Sequence, residues 1–289
     1  MGKISTSVVK TSFSKNNINQ YKLSILCGVD SLSYCVYGQT GEVLVLKQFG
    51  LTTPLVLNNE AIFSTTFNEI WDKDPILSYP FPVIHIAFVR PHYTIIPNKL
   101  YQSANKASYL TPLKANAAIP ELYQVNNLPT IDAKLIFSLP QSAIEFFESK
   151  YTTGTKYYNS FTSLINGIAK KMRTLSDKQA WLNVHLNVLQ IILFDGQTLI
   201  FSNQFPFETE KDFIYYTLLV YSQFKLNPEV TPLHISGQLV KESAIYNNLY
   251  RYIRNISFTK INNSYQLNTP LTSHPNHFFF DLLSIGQSQ

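Results

Sequence analysis

Histidine is the residue type in this chain best suited to metal binding or proton transfer, and the positions of the histidines limit both roles. Only His274 and His277, which are separated by two residues, have a spacing typical of neighbouring metal ligands. His85 and His234 stand inside short apolar runs, where a hydrogen-bonded core histidine is the commoner role. We expect no metal site in this chain, and the pair His274 and His277 is the alternative. The histidines are His85, His92, His185, His234, His274 and His277.

Cys27 and Cys35 are the only cysteines, too few for a disulfide framework or a cysteine-rich zinc site. Their spacing places them on adjacent strands of one hairpin. We expect reduced, half-buried thiols, which are typical of the cytoplasm, and a bridge between the two is the alternative. The sequence has no Gly-x-Ser-x-Gly motif, no Walker A loop and no Gly-x-Gly-x-x-Gly. It therefore offers no catalytic residue.

The composition is that of a folded protein with few charges. Hydrophobic residues make up 45% of the chain and charged residues 14%, whereas charged residues make up about 25% of a typical protein. The net charge is +5, and the basic cluster at residues 170–173 is more typical of a helix end than of a nucleic-acid-binding face. Nucleic acid is therefore a disfavoured partner. Because neither a signal peptide nor an apolar run of roughly 18–20 residues is visible, we expect a cytoplasmic protein with no membrane span.

Residues 179–237 organise the second half of the chain. Aliphatic runs at residues 180–187 and 189–194 lead to a turn at Asp195 and Gly196, and apolar side chains then alternate along residues 199–205, as in a strand. Thr209, with Asp212 three positions later, predicts the start of a helix that continues to residue 225. Two apolar rows on that helix predict burial on two sides. A short strand ends at Gly237, and a helix (240–255), a strand (256–260) and a helix (276–285) complete the half.

The first half repeats this order. We expect strands at residues 22–29, 33–38 and 42–49, a helix capped by Asn58 or Asn59, and a buried strand at residues 83–89. Strands at residues 93–96, 121–126 and 133–139 form an insertion, followed by a helix (140–151), a strand (156–159) and a helix (160–172). Both halves then have the order β-β-β-α-β-α-β-α, with an offset of roughly 150 residues. We expect a flexible tail at 1–20, a first domain at 21–175 with an insertion around 93–139, and a second domain at 176–289, with the boundary near residues 174–178.

Four stretches carry a resemblance to known proteins. They are the opening hairpin at residues 21–37, FIYYTLLVY at 213–221, PLHISG at 232–237 and YRYIRN at 250–255. Over about residues 20–285 the chain resembles the family called domain of unknown function 3822. The repeated order itself resembles the ribonuclease-H-like unit, and two such units in tandem resemble the actin-like ATPase fold. The resemblance implies an α/β actin-like ATPase fold with an inter-domain cleft and an unassigned function, and it supplies no catalytic residues.

The resemblance also implies where a nucleotide would bind. An actin-like ATPase grips phosphates with two β-hairpin turns, where glycine lets backbone N–H groups approach and a carboxylate helps to hold the metal. Gly28 and Asp30 resemble such a turn, but Leu32 stands where glycine is expected, and residues 184–189 contain neither Asp nor Gly. On the adenosine side, a strand that should end in paired glycines offers only Gly237. Asp30 and Gly237 are the cofactor-binding candidates, and only if a nucleotide binds.

A ribonuclease-H-type nuclease is disfavoured on similar grounds. It needs clustered carboxylates for two metal ions, beginning inside the first strand, and residues 22–29 and 180–187 contain none. We expect instead a non-catalytic protein-interaction or scaffold module, an actin-like pseudo-ATPase with an unidentified protein partner and no required cofactor. The alternative is a nucleotide-binding ATPase or sugar-kinase-like enzyme that uses ATP and magnesium through degenerate phosphate loops.

Overall fold

A computed structural model describes residues 3–52, 57, 59–113, 120–152, 154–172, 177–261 and 275–286 of the chain. The helices of these residues are α1 (Glu60–Lys73), α2 (Gln141–Lys150), α3 (Ser160–Met172), α4 (Glu210–Gln223), α5 (Ala244–Tyr250) and α6 (Phe280–Ile285). The strands are β1 (Lys3–Val9), β2 (Lys22–Cys27), β3 (Ser31–Tyr37), β4 (Val43–Gly50), β5 (Val83–Phe88), β6 (Tyr93–Pro97), β7 (Glu121–Leu128), β8 (Ala133–Pro140), β9 (Thr155–Asn159), β10 (Lys178–Val184), β11 (Val188–Asp195), β12 (Thr198–Pro206), β13 (Leu233–Gly237) and β14 (Ile256–Phe258).

Each half of the chain builds one mixed sheet with the same strand arrangement. In the first half, β2, β3 and β4 form an antiparallel meander, and β5 and β9 lie parallel beside β2. In the second half, β10, β11 and β12 form the meander, and β13 and β14 lie parallel beside β10. Antiparallel neighbours need only a short turn, whereas each parallel neighbour is reached through a helix. The predicted order β-β-β-α-β-α-β-α is confirmed in both halves.

Local sequence signals explain several element ends. Thr209 and Asp212 form the predicted capping box of α4, and the Asn59 side chain caps α1. Gly196 has a φ of 55° in the tight turn between β11 and β12. The helix predicted to reach residue 255 ends earlier, because the Arg254 amide donates to the Pro228 carbonyl at 3.0 Å and leaves the helical path.

The N-terminal segment differs from the expected flexible tail. β1 pairs antiparallel with β4 at the edge of the first sheet, and residues Lys15–Gln20 form a 3-10 helix whose Ile18 is buried. The segment is polar, so its strand forms because β4 offers unpaired N–H and C=O groups along an open edge. The side chains of this segment therefore do not predict a strand that pairs with β4. Of the predicted boundary near residues 174–178, residues 174–176 lie outside the described residues, and the division into two domains stays a prediction.

The insertion between β5 and α2 has a sheet of its own. β6, β8 and β7 lie side by side in antiparallel order, with β8 in the centre. The three predicted strands of this region are confirmed.

α3 and α6 pack against each other at the junction of the two halves. A methyl group added at Gly167 of α3 would lie 2.6 Å from Ser284 Oγ and 3.3 Å from the Phe280 ring, so glycine permits this close approach. α6 also contacts β2, β3 and β5. The helix at the end of the described chain therefore packs on the sheet of the opposite half.

Both cysteines lie deeper than expected. Cys27 and Cys35 are free thiols, and both are fully buried rather than half-buried. Burial raises the pKa of each thiol above its ordinary value. They behave as small apolar core residues.

Candidate functional site

The turn between β2 and β3, where the actin-like fold would hold phosphate, is closed by its own backbone. The Gly28 amide donates to the Ser31 carbonyl at 2.8 Å, and the Asp30 carbonyl accepts from the Leu51 amide at 2.7 Å. The Asp30 carboxylate accepts from the Ser31 hydroxyl at 3.3 Å. Leu32 is fully buried within the core of the first half. The Gly28 amide, which would be a phosphate donor, is thus already used within the hairpin.

The corresponding turn of the second half lies between β10 and β11. The His185 amide donates to the Val188 carbonyl at 2.9 Å and closes the turn. Leu186 at its tip is 67% exposed. A leucine stands here where a phosphate-binding turn needs glycine, so this turn also lacks the open backbone that a phosphate requires.

Gly237 is explained by the packing of the chain itself. Its φ is 80°, and a methyl group at this position would lie 2.2 Å from the Val184 carbonyl oxygen and 2.6 Å from the Val184 nitrogen. The next amide, that of Gln238, donates to the same carbonyl at 2.7 Å. Glycine is therefore required where the end of β13 folds over β10, with or without a ligand.

The two turns and the end of β13 meet around one enclosed space. Its volume is about 10 Å³, which is close to the minimum for a single water molecule. Small-molecule sites usually offer about 300–1,000 Å³. The residues around this space do not fit a nucleotide. They include Ser31, Val184, His185, Gly237, Phe279 and Asp281.

The C-terminal segment fills the junction. Phe279, Leu282 and Leu283 are buried in an apolar cluster with side chains of β2, β3 and β5. Burying each such side chain contributes roughly 1.5–3 kcal/mol. The junction is therefore held closed by a packed apolar contact between the two halves.

A buried polar cluster lies beside that contact. Asp281 is 3% exposed, and its Oδ2 accepts from Asn183 Nδ2 at 3.2 Å and lies 3.4 Å from His185 Nε2. Its Oδ1 accepts from the Leu282 amide at 2.7 Å. A buried histidine–carboxylate pair is suited to acid–base chemistry. Here, however, the carboxylate accepts hydrogen bonds from protein donors, and the adjoining space measures about 10 Å³.

The same cluster continues between the two halves. Gln190 accepts from Asn183 Nδ2 at 3.0 Å and donates to the Ser160 hydroxyl of α3 at 2.9 Å. Ser236 donates to Asn183 Oδ1 at 2.8 Å. Sequence reasoning missed this cluster, because Ser160, Ser236 and Asp281 lie far in sequence from its members on β10 and β11, and only the fold brings them together.

His85 is a buried, hydrogen-bonded residue, as predicted, whereas His234 is hydrogen-bonded but only half-buried. Burial and, to a smaller extent, the nearby Lys156 charge together lower the pKa of His85 to about 4, although a hydrogen bond with the Ile285 backbone opposes the shift. His234 bonds to Ser257 Oγ and Gln179 Oε1, each at 2.8 Å, and burial lowers its pKa to about 4. Both rings are held neutral near pH 7, which suits a packing role.

The described residues contain no group of three or more His, Cys, Asp and Glu placed to hold a metal ion. His277 is buried, with Nε2 2.8 Å from the Leu239 carbonyl, and its ring stacks on Phe258 at 4.2 Å. His274 lies outside the described residues, so the predicted alternative of a shared site is not addressed. Within the same residues, no helix has both the length and the apolar character needed to cross a membrane.

The repeated strand order, with α3 and α6 packed together at the junction, defines the class: this is an actin-like ATPase fold. The chain belongs to the family described as Protein of unknown function (DUF3822), whose model matches residues 10–256. A search among curated proteins gives no match.

Solved structures agree with this class. A Bacteroides thetaiotaomicron VPI-5482 protein with an actin-like ATPase fold and unknown function is 22% identical, with a TM-score of 0.76 over 86% of this chain and 93% of its own. A chain of a PilM–PilN type IV pilus biogenesis complex is 10% identical, with a TM-score of 0.60 over 92% of this chain and 97% of its own. The ethanolamine utilization protein EutJ from Carboxydothermus hydrogenoformans is 8% identical, with a TM-score of 0.51 over 98% of this chain and 93% of its own. At these identities the likeness concerns the fold alone.

Proposed function

We propose that this chain is a cytoplasmic, non-catalytic protein of the actin-like fold that acts by binding another protein. It neither binds nor hydrolyses ATP. The proposal departs from the usual chemistry of the fold class, so it depends on the state of the site between the halves.

One observation carries the proposal. The space where the two hairpin turns and Gly237 meet measures about 10 Å³, far below the roughly 300–1,000 Å³ of usual ligand sites. Phe279 and Asp281 border that space and are buried in contacts within the chain. A nucleotide would have to displace the packed C-terminal segment before reaching either turn.

A role in binding another protein is supported by the surface and by a precedent. Tyr215, Tyr250 and Tyr252 are exposed by 47–60%, and tyrosine is a residue type enriched at protein interfaces. One structure with the same fold is a PilM–PilN complex, which shows that this fold can work within an assembly.

The test is a melting experiment on the full chain with millimolar ATP or ADP, each with magnesium. A ligand present at about 100 times its dissociation constant stabilises the native state by about 2.7 kcal/mol. In a protein of this size that amounts to several degrees, at roughly 2–4 °C per kcal/mol. We expect no shift with either nucleotide and no release of phosphate from ATP.

The control is Asp30→Ala, which removes the carboxylate of the first turn. A magnesium-dependent rise of several degrees that disappears in this variant would refute the proposal. It would establish the alternative, a nucleotide-binding enzyme with unusual loops. A rise that persists in the variant would also contradict the proposal and would place the nucleotide elsewhere.

A further inference from the structure

A groove separates α4 from α5 on the surface of the second half. Its volume is about 750 Å³, which lies within the range of about 300–1,000 Å³ that binding sites offer. The two helices are joined at its base, where Asn248 Nδ2 donates to Glu210 Oε2 at 2.7 Å. The groove is therefore a fixed feature of the packed helices and is far larger than the space at the junction of the halves.

The walls of the groove are apolar and aromatic. Tyr215 of α4 is 60% exposed, and Tyr252, just beyond α5, is 52% exposed. Ile214 is half-buried and packs against the core of the second half. Large side chains exposed together in a concave surface are typical of contact sites rather than of solvated helix faces.

The charges of the groove are unbalanced. Its one carboxylate, Glu210, is held by Asn248. Lys211 and Arg251 line the same groove, and neither forms an ion pair with a carboxylate of the described residues. Arg254, outside the groove, lies 3.9 Å from Glu229. The groove thus presents two unpaired cations beside an apolar wall, and the complementary ligand carries carboxylates beside apolar side chains.

We infer that this groove binds a segment of a partner protein that combines bulky apolar side chains with Asp or Glu. The inference rests on the proposed protein-binding function and names its surface. The apolar side chains lie against Tyr215, Ile214 and Tyr252, and the carboxylates pair with Lys211 and Arg251. A groove between two helices suits a short helix or an extended segment.

The experiment selects random peptides displayed on phage against the immobilised full chain, and then measures fluorescein-labelled consensus peptides by fluorescence anisotropy. We expect the selected peptides to share aromatic or aliphatic residues next to Asp or Glu. Tyrosine is enriched among the few interface residues whose truncation weakens binding more than about tenfold, so we expect Tyr215→Ala and Tyr252→Ala each to raise the dissociation constant at least about tenfold. Their side chains are more than half exposed, so both variants should fold normally.

Arg251→Glu is the charge test. It should weaken the acidic peptide about tenfold or more and strengthen a peptide in which Lys replaces each Asp and Glu. Leu100→Ala and Lys106→Glu, at exposed positions of the insertion, are matched controls that should leave both affinities unchanged.

Three results would overturn the inference. Peptides whose binding ignores the groove variants would place the contact elsewhere and leave the protein-binding function standing. A screen without enriched peptides would remove the groove as a peptide site. Sedimentation that shows a dimer abolished by Tyr215→Ala would identify the occupant as a second copy of the chain. The melting experiment with ATP tests the non-catalytic function separately.

Discussion

Acidification should destabilise this protein through His85. The ordinary pKa of histidine is 6.5, and in the folded chain burial lowers the pKa of His85 to about 4. Between these values the unfolded chain binds a proton that the folded chain does not, so the free energy of unfolding falls as the pH falls. The stability that a neutral His85 contributes is present above about pH 6.5 and is lost progressively towards about pH 4.

The size of the effect follows from these two pKa values. Between about pH 7 and about pH 5, protonation of a histidine of ordinary pKa stabilises the unfolded chain by about 2 kcal/mol, while the folded chain gains almost nothing. Burial also lowers the pKa of His234 to about 4, but this side chain is only half-buried, so its contribution should be smaller. The two histidines lie in different sheets, so their effects should add.

Urea unfolding at the two pH values measures the loss, and His85→Phe isolates it. The ring of His85 lies against Tyr158, with a centroid distance of 5.2 Å, so an aromatic replacement keeps the packing and removes the titration. The difference in unfolding free energy between the two pH values should shrink by about 2 kcal/mol in His85→Phe, and by a further, smaller amount when His234→Phe is added. An unchanged pH dependence in His85→Phe would refute the assignment of His85 as a buried neutral residue.

Two further predictions concern stability near pH 7, both measured by urea unfolding. Lys47→Met should lower the free energy of unfolding by about 3–5 kcal/mol, because buried Asp74, whose Oδ2 lies 2.9 Å from Lys47 Nζ, loses its cationic partner. The control is Lys73→Met, which removes an exposed ion pair with Glu69 at 4.0 Å and should lower it by less than about 1 kcal/mol. Equal losses in the two variants would contradict the reasoning. Phe213→Ala should lower the free energy of unfolding by about 3–5 kcal/mol, because the Phe213 side chain is fully buried. Ile214 is half-buried and lines the groove, so Ile214→Asp should lower it by only about 1–2 kcal/mol. The same variant should abolish binding of the selected peptide. An Ile214→Asp variant that fails to fold would show that this row belongs wholly to the core.

The elements of the two halves could be predicted because their signals are local. The capping box at Thr209, the turn at Gly196 and the apolar run of β5 each depend on residues that are neighbours in sequence. β1 could not be predicted in this way. It is polar, and it becomes a strand because β4, some forty residues later, leaves an edge to pair with.

Burial on two sides was expected for α4 from the periodicity of its apolar residues, and the structure shows what that periodicity cannot predict. Phe213 and Val220 of the first row are buried. The second row consists of Ile214, Leu218 and Tyr221, of which Tyr221 is buried and the other two are half-buried. Tyr215, beside that row, is exposed. Periodicity reports which residues share a face of a helix and not what covers that face. The second row is therefore partly covered by its own half, and Ile214 also borders the groove.

Only some features of the candidate site could be predicted from sequence, namely those that depend on residues adjacent in the chain. Leu32 and the second turn could be judged from sequence, because the need for glycine in a phosphate-binding turn is a property of a few adjacent residues. The closure of the junction could not be predicted from sequence. Phe279, Asp281 and Leu282 have the pattern of an ordinary short amphipathic helix, and only the fold brings them into contact with β2 and with the turn at His185. The two obstacles are independent of each other. Leu32 lies within β3 with its side chain in the core, so glycine at this position would remove core packing and would leave the packed C-terminal segment in place. Removing that segment would expose the apolar side chains of the opposite sheet without supplying a phosphate-binding backbone. If the proposed non-catalytic function is correct, a single substitution should therefore not confer nucleotide binding, because the two obstacles lie in different parts of the structure.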